Sequence, residues 1–325
     1  MSINMKKIAQ EARVSVSTVS KAFSYSKEIS EATRERIFDI AKKYDSLEKY
    51  TLQKYSKKVI VAITPEINGG FYTNILSLLN DKIKKRGGIL NISISDFEKE
   101  NVKTLYEYHT KYQKVDGVLI IGSNFDVFNL LNTPTVFMLG NSKGHIDAVG
   151  TSIKESIYEV VRNLKKSGHK NIAFIGEKLT ESKKRYFEEA MNFYSMPLCR
   201  EIIETSKYRF EKAGYEGAKE ITLKNIDIDA IITAYDKIAI GAIKFLKESG
   251  FTVPDDISVI GMDDIQECEY LDVPLTSIKT NVDLVCEKAL DILYRKMDNQ
   301  FYFSNENIVV KSELVNRKSV KNKTI

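Results

Sequence analysis

The sequence predicts a small N-terminal all-α head (residues 1–45), a linker (46–58) and an α/β core (59–325) built as two doubly wound parallel-sheet lobes. Three observations predict it. Positive charge is gathered at one end: residues 1–58 hold thirteen Lys and Arg against seven Asp and Glu, a net +6 in a chain whose total is +5, so the remainder nets −1. Three short amphipathic helices with capping residues occupy that basic end. Beyond it, apolar strands and amphipathic helices alternate through two successive runs, and repeated β-α units fold as parallel sheets covered by helices. At 325 residues, 43% hydrophobic and 29% charged, the chain has room for two or three packed units.

In the head, Met5-Lys6-Lys7-Ile8-Ala9-Gln10-Glu11-Ala12 reads as a helix with Ile8, Ala9 and Ala12 turned inward. A turn follows at Arg13-Val14-Ser15. Ser15 is a good cap for a second helix over 16–23 that buries Val19, Ala22 and Phe23. Ser30 caps a third over 31–44, with Ile37, Ile40 and Ala41 on one face and Glu31 at its positive end. The first two helices make a helix-turn-helix. A basic head on a near-neutral body suits a polyanion, and charge alone is equally compatible with a plain solvated surface.

The wording of the head is more specific than its charge. The run Lys6-Lys7-Ile8-Ala9-Gln10-Glu11-Ala12-Arg13-Val14-Ser15-Val16-Ser17-Thr18-Val19-Ser20-Lys21-Ala22-Phe23 resembles the DNA-binding head of the lactose/galactose-repressor family, and Ile29-Ser30-Glu31-Ala32-Thr33-Arg34-Glu35-Arg36-Ile37 resembles that family's third helix. The resemblance implies that the second helix enters the major groove N-terminus first. Val16, Ser17 and Lys21 are then assigned to reading bases, Lys21 as a point donor to guanine and Val16 by apolar contact. Ser15, Thr18 and Ser20 carry short hydroxyls suited to phosphate oxygens, and Arg34 joins the same DNA-facing set. Thr18 and Ser20 are also readable as ordinary helix surface. The family usually has Gly where this chain has Arg13, which is favoured if φ there is positive. Arg13 either accepts that cost or changes the turn.

The linker departs from the family. It lacks Gly and Pro, and counting from Ala41 the family's Pro-Asn positions fall on Glu48 and Lys49 and its minor-groove wedge on Tyr55, with Leu52 in the small residue's place. Leu52 or Tyr55 could still wedge into a minor groove; a basic tether is the other reading.

In the core, strands are expected over 59–63, 89–94, 117–121, 135–139, 172–175, 230–233 and 257–260. Helices are expected over 71–85, 153–167, 181–194, 209–223, 236–249 and 281–297. The runs Ser167-Gly168-His169-Lys170-Asn171-Ile172-Ala173-Phe174-Ile175-Gly176, Asp236-Lys237-Ile238-Ala239-Ile240-Gly241-Ala242, Gly250-Phe251-Thr252-Val253-Pro254-Asp255-Asp256-Ile257-Ser258-Val259-Ile260-Gly261-Met262-Asp263-Asp264 and Pro274-Leu275-Thr276-Ser277-Ile278 resemble the same family. The resemblance implies the fold of type I periplasmic sugar-binding proteins, with one lobe at about 59–146 and 279–300 and the other at about 150–276 and 301–325. Ligands in such folds sit beyond the carboxyl ends of the strands. Carried over position by position, the cleft residues are Phe71, Tyr72, Ser152, Lys183, Tyr235, Asp236 and Asp263. For Asp236 a helix N-cap is the simpler role, and His169 beside Gly168 reads as structural.

Together these features imply a cytoplasmic homodimer that binds double-stranded DNA at a pseudopalindromic operator, as a repressor or activator, with its affinity modulated by a small molecule. Lys183 with Tyr235 admits an acidic or phosphorylated sugar as well as a neutral one. Two other readings stand beside this one: a regulator controlled by a protein docking on the core, and a sugar-binding protein that does not regulate. No nucleophile–base pair, metal cluster or phosphate loop stands at a usable spacing, so an enzyme, a cofactor and a metal are not expected. Cys199, Cys268 and Cys286 are too few and too scattered for a disulfide framework. No apolar run approaches a membrane span, and the polar N-terminus does not read as a secretory signal.

Overall fold

The structure, a computed structural model, describes residues 4–23, 26, 28–44, 57–122, 133–140, 146–224, 226–298 and 305–322. The chain divides into two compact units, with the boundary in the main chain between Lys58 and Val59. Leu52 and Tyr55 lie outside the described residues.

The head is three helices, α1 (Met5–Glu11), α2 (Val16–Phe23) and α3 (Glu31–Lys43). Each begins on a side chain that accepts a backbone N–H otherwise left unpaired. Asn4 Oδ1 accepts from Lys7 N at 3.0 Å, Ser15 Oγ from Thr18 N at 3.0 Å, and Ser30 Oγ from Thr33 N at 3.3 Å. The helices close on Ile8, Ala9, Ala12, Val19, Ala22, Phe23, Ile37 and Ala41, the inward residues read from the periodicity, with Ile40 packed at the margin. Phe23 stacks on Phe38 with ring centroids 5.6 Å apart.

Among the described residues, the core holds two six-stranded sheets. In chain order the elements are β1 (Val59–Thr64), α4 (Phe71–Lys85), β2 (Ile89–Ile94), α5 (Lys99–Glu107), β3 (Gly117–Ile121), β4 (Thr135–Met138), β5 (Asp147–Thr151), α6 (Ile153–Lys166), β6 (Ile172–Glu177), α7 (Glu181–Phe193) and β7 (Ile203–Ser206). There follow α8 (Phe210–Thr222), β8 (Ala230–Thr233), α9 (Asp236–Glu248), β9 (Ser258–Asp263), β10 (Thr276–Lys279), α10 (Val282–Asp298), β11 (Asn307–Val310) and β12 (Glu313–Val315). The strand orders are β11-β5-β4-β3-β1-β2 and β12-β10-β9-β8-β6-β7. The two lobes therefore repeat one winding, with the order reversing between β1 and β3 in the first and between β6 and β8 in the second. Pairing is parallel at both switch points, Ile60 opposite Gly117 and Ile172 opposite Ala230. Strands β10 and β12 pair antiparallel. The central strands β1, β3, β4, β6 and β8 are buried almost throughout, which explains their near-continuous apolar sequence.

The lobe limits differ from expectation at the C-terminal end. Residues 301–325 were expected wholly in the second lobe, but β11 pairs parallel with β5 and completes the first sheet; only β12 belongs to the second. The physical reason is that the chain crosses between lobes three times: after β5, after β10, and between β11 and β12. Ser152 meets Ser312 where two of these crossings run side by side: Ser312 N donates to Ser152 Oγ at 2.9 Å, and Ser152 N donates to Val310 O at 3.1 Å. Asn281 Nδ2, on the third, donates to Lys311 O at 3.2 Å. His169 is buried as a structural residue, its Nε2 2.8 Å from Ser258 Oγ. Among the described residues, no helix is long and apolar enough to cross a membrane.

Candidate nucleic-acid interface and ligand cleft

Helix α2 divides cleanly into two faces. Val19, Ala22 and Phe23 are buried in the mini-core, while Val16, Ser17 and Lys21 are exposed and Thr18 and Ser20 are half-buried. Val16 leaves 42% of its surface exposed, which leaves its methyl groups available for an apolar contact. Lys21 Nζ pairs with Glu28, so on DNA it would have to exchange that carboxylate for a base edge. Ser15 and Thr18 bond to each other through their hydroxyls at 2.8 Å while Ser15 caps the helix. Arg13 has φ +51°, so it accepts the left-handed turn where the family pattern has Gly.

Arg34 is not DNA-facing. It is only 8% exposed, donates from Nη2 to Ser26 O at 2.8 Å and pairs through Nη1 with Glu31. A guanidinium placed one turn into α3 reaches back along the connection from α2 and satisfies its carbonyls, which outweighs a contact with solvent or phosphate. Its role is to hold the two helices in register.

In the core, a cavity of about 260 Å³ opens at the carboxyl ends of the strands of both lobes. The first lobe contributes Glu66 beyond β1, Phe71 and Tyr72 from the start of α4, and Phe97 beyond β2. The second contributes Glu177 at the end of β6, Lys183 on α7, Arg209 and Phe210 at the start of α8, Tyr235 and Asp236 at the start of α9, and Asp263 at the end of β9. Phe71 and Tyr72 meet edge to face at 5.4 Å, Tyr72 and Phe97 at 6.3 Å, and Phe210 and Tyr235 lie 6.0 Å apart. The lobes approach closely: a Cβ added at Gly69 of the first lobe (φ +83°) would run into the ring of Phe210 of the second.

The sequence-derived cleft residues fall into three groups. Phe71, Tyr72, Lys183, Tyr235 and Asp263 line the cavity. Lys183 Nζ donates to Ala234 O at 2.6 Å and lies 3.8 Å from Asp263 Oδ1. Asp263 has φ +105°, a costly backbone for a residue with a side chain. Burial pushes its carboxyl up to about 6 against the pull of Lys183. Asp236 reaches the cavity, but both its oxygens are taken, Oδ1 accepting from Ser277 Oγ at 2.5 Å and Oδ2 from Ile265 N at 2.9 Å. It is the first residue of α9 rather than its cap, and it ties that helix to the segment after β9. Burial and the neighbouring Asp263 raise its carboxyl to about 7. Ser152 does not line the cavity; its hydroxyl is committed to the crossing at Ser312. The family pattern has an Asp there, whose longer side chain and second oxygen a serine lacks.

Arg209, Glu66, Glu177, Phe97 and Phe210 also line the cavity and were missed by sequence reasoning. Arg209 donates to Glu66 in bidentate fashion, Nη1 to Oε2 at 2.7 Å and Nη2 to Oε1 at 3.0 Å, and from Nε to Glu177 Oε1 at 3.1 Å. Phe97 and Phe210 flank its guanidinium at 5.7 and 4.4 Å. The hydrogen bonds to Glu66 hold the Arg209 guanidinium charged well beyond its ordinary range. Burial, and then Glu177, raise the Tyr235 hydroxyl. A signal for Glu177 was present: a carboxylate closing an apolar strand is out of place unless it faces a cleft. Among the described residues, no group of three His, Cys, Asp or Glu side chains is placed to hold a metal ion.

Residues 4–45 match the family described as bacterial regulatory proteins, lacI family, and residues 161–320 match the periplasmic binding protein-like domain. The chain is 26% identical over 335 residues to the HTH-type transcriptional regulator MalR of Clostridium butyricum, covering 98% of this chain and 99% of that protein. It is 29% identical over 332 residues to the HTH-type transcriptional repressor PurR of Actinobacillus pleuropneumoniae serotype 3, covering 98% of both. Two solved structures share its fold at 21% identity, each over 98% of this chain and 99% of the other. They are the lac repressor dimer bound to operator and the anti-inducer ONPF, with a TM-score of 0.75, and a complex of the transcriptional regulator CelR with cellobiose, with a TM-score of 0.70.

Proposed function

We propose that this chain, whose residues 4–45 match the lacI family of bacterial regulatory proteins and whose residues 161–320 match the periplasmic binding protein-like domain, is a sequence-specific repressor whose hold on its operator is modulated by a sugar or sugar phosphate in the interlobe cleft. The observation that carries this reading is the two-sidedness of α2. Its core face is spent on the head, and Val16, Ser17 and Lys21 remain for a groove. Two such heads on a homodimer would read the two halves of a pseudopalindromic site. The cleft supports the rest. Aromatic rings stand beside a lysine and an aspartate held at hydrogen-bonding depth, the mixture that fits a hydroxyl-rich ring. Lobes joined by three short crossings can change their mutual angle without unfolding, and a ligand that prefers one angle shifts the population of DNA-binding states.

The test pairs the head with the cleft. Lys21→Ala should weaken binding to the chain's own promoter fragment by about tenfold and blur its preference over random duplex. Fluorescence anisotropy at fixed salt reads both, and unchanged specific affinity would contradict the recognition-helix assignment. A thermal-shift panel of sugars and sugar phosphates then identifies the ligand class, and Asp263→Ala should abolish the shift.

A further inference from the structure

We infer that Arg209 determines the charge of the ligand the cleft accepts: by bridging Glu66 of the first lobe and Glu177 of the second, it ties the lobes together across the cleft and leaves the site suited to uncharged ligands rather than anions. The inference rests on the cleft being the effector site and narrows what that site takes.

Among the described residues, each of the three cations that line the cavity is already paired. Lys183 is held by Ala234 O and Asp263, Lys237 lies 3.1 Å from Glu211, and Arg209 carries two carboxylates at once. The carboxylates are the more deeply set partners. The side chains of Glu66 and Glu177 are 10% and 3% exposed, against 37% for Arg209. An anion entering from solvent would have to draw Arg209 off Glu66, leaving that carboxylate buried without its cation, which is the costly way to break such a pair. Two lining carboxylates for one guanidinium already make this corner of the cleft negative. An uncharged polyol avoids the cost, since its hydroxyls can donate to the outer lone pairs of carboxylates that stay paired.

The bridge also acts between lobes. Glu66 follows β1 and Arg209 precedes α8, so their two parallel hydrogen bonds span the cleft, and Phe97 and Phe210 cover the guanidinium from either lobe. Fork-to-fork geometry of this kind fixes orientation as well as distance.

The experiment compares the full-length wild type with Glu66→Gln/Glu177→Gln and with Arg209→Met, each checked for fold by circular dichroism and for operator binding. Calorimetric titration uses inorganic phosphate and glucose 6-phosphate as anionic probes and glucose as the uncharged control. The wild type should bind neither anion. The double glutamine variant, with Arg209 released, should bind inorganic phosphate measurably, at least about tenfold more tightly than the detection limit that bounds the wild type. Small-angle scattering without ligand should show both variants more open than the wild type. Phosphate binding by the wild type that is lost in Arg209→Met overturns the proposal, and so does a double variant that gains no phosphate affinity. Unchanged scattering in both variants overturns the tie between lobes. Because these arms need no natural ligand, the proposal is decided even if no sugar in the thermal-shift panel binds; that result would count against the sugar reading alone.

Discussion

At the scale of single residues, the head shows two arginines used for opposite ends. Arg13 sits at φ +51° where glycine would be at ease, and it is exposed. Arg13→Gly should therefore stabilise the head by about 1 kcal/mol, the usual difference for a left-handed position, read as slower hydrogen exchange of α1 and α2. If exchange quickens instead, the arginine is making a compensating contact. Arg34 is the reverse case, buried and bonded to the Ser26 carbonyl. Arg34→Ala should cost the head about 2 kcal/mol while leaving the salt dependence of DNA binding per folded head unchanged; a shallower salt slope would show that Arg34 touches phosphate after all. The motif that placed Arg34 in α3 was legible in sequence, but the direction of its side chain was not. Direction depends on where the connection from α2 runs, and periodicity does not encode that. Ser152 was misread for the same reason, since its partner Ser312 lies 160 positions away.

At the scale of elements, the strands and helices with strong periodicity were legible nearly to their ends, and those that fold on borrowed surroundings were not. Helix α5 buries only Val102 and Tyr106 along its nine residues, too few to mark a face. β7, β11 and β12 are edge strands three or four residues long with mixed exposure, so their sequences carry little of the apolar run that marked β1 or β3. The crossing of α8 and α9 is a different matter. Gly214 and Gly241 let the two backbones touch, for a Cβ at Gly241 would overlap the Glu211 carbonyl and one at Gly214 the Ile238 carbonyl. Because backbone cannot yield as a side-chain tip can, Gly241→Ala should cost 3 kcal/mol or more, on the order of the upper end for overpacked cores. Denaturant unfolding gives the figure, and a loss below about 1 kcal/mol would mean the helices can slide apart cheaply. This crossing also sets where Arg209 and Tyr235 stand, since each immediately precedes one of the two helices.

At the scale of the whole molecule, two aspartates of the cleft tie stability to pH. Asp236 and Asp263 hold their protons in the fold up to about 7 and about 6, whereas the unfolded chain gives them up near 3.8. Between those limits the folded state binds more protons than the unfolded one, so this contribution falls as pH rises, by on the order of 1.4 kcal/mol per pH unit for each group. Asp263→Asn should accordingly gain on the wild type as pH rises from about 4 to about 6 and then hold its advantage. Melting temperatures of the two proteins across that range check it, and a constant difference would show that Asp263 is ionised throughout in the fold. Doubly wound lobes were legible in the sequence as alternation. How the tail is shared between them was not, because β11 and β12 are joined by two residues and belong to different sheets. That sharing bears on how the protein is made. Neither lobe receives its last strand until 305–322 has emerged from the ribosome, so a nascent chain that has already finished its head still lacks a completed core. A clip between β11 and β12 in the mature protein would likewise cut the continuity of both lobes at one stroke.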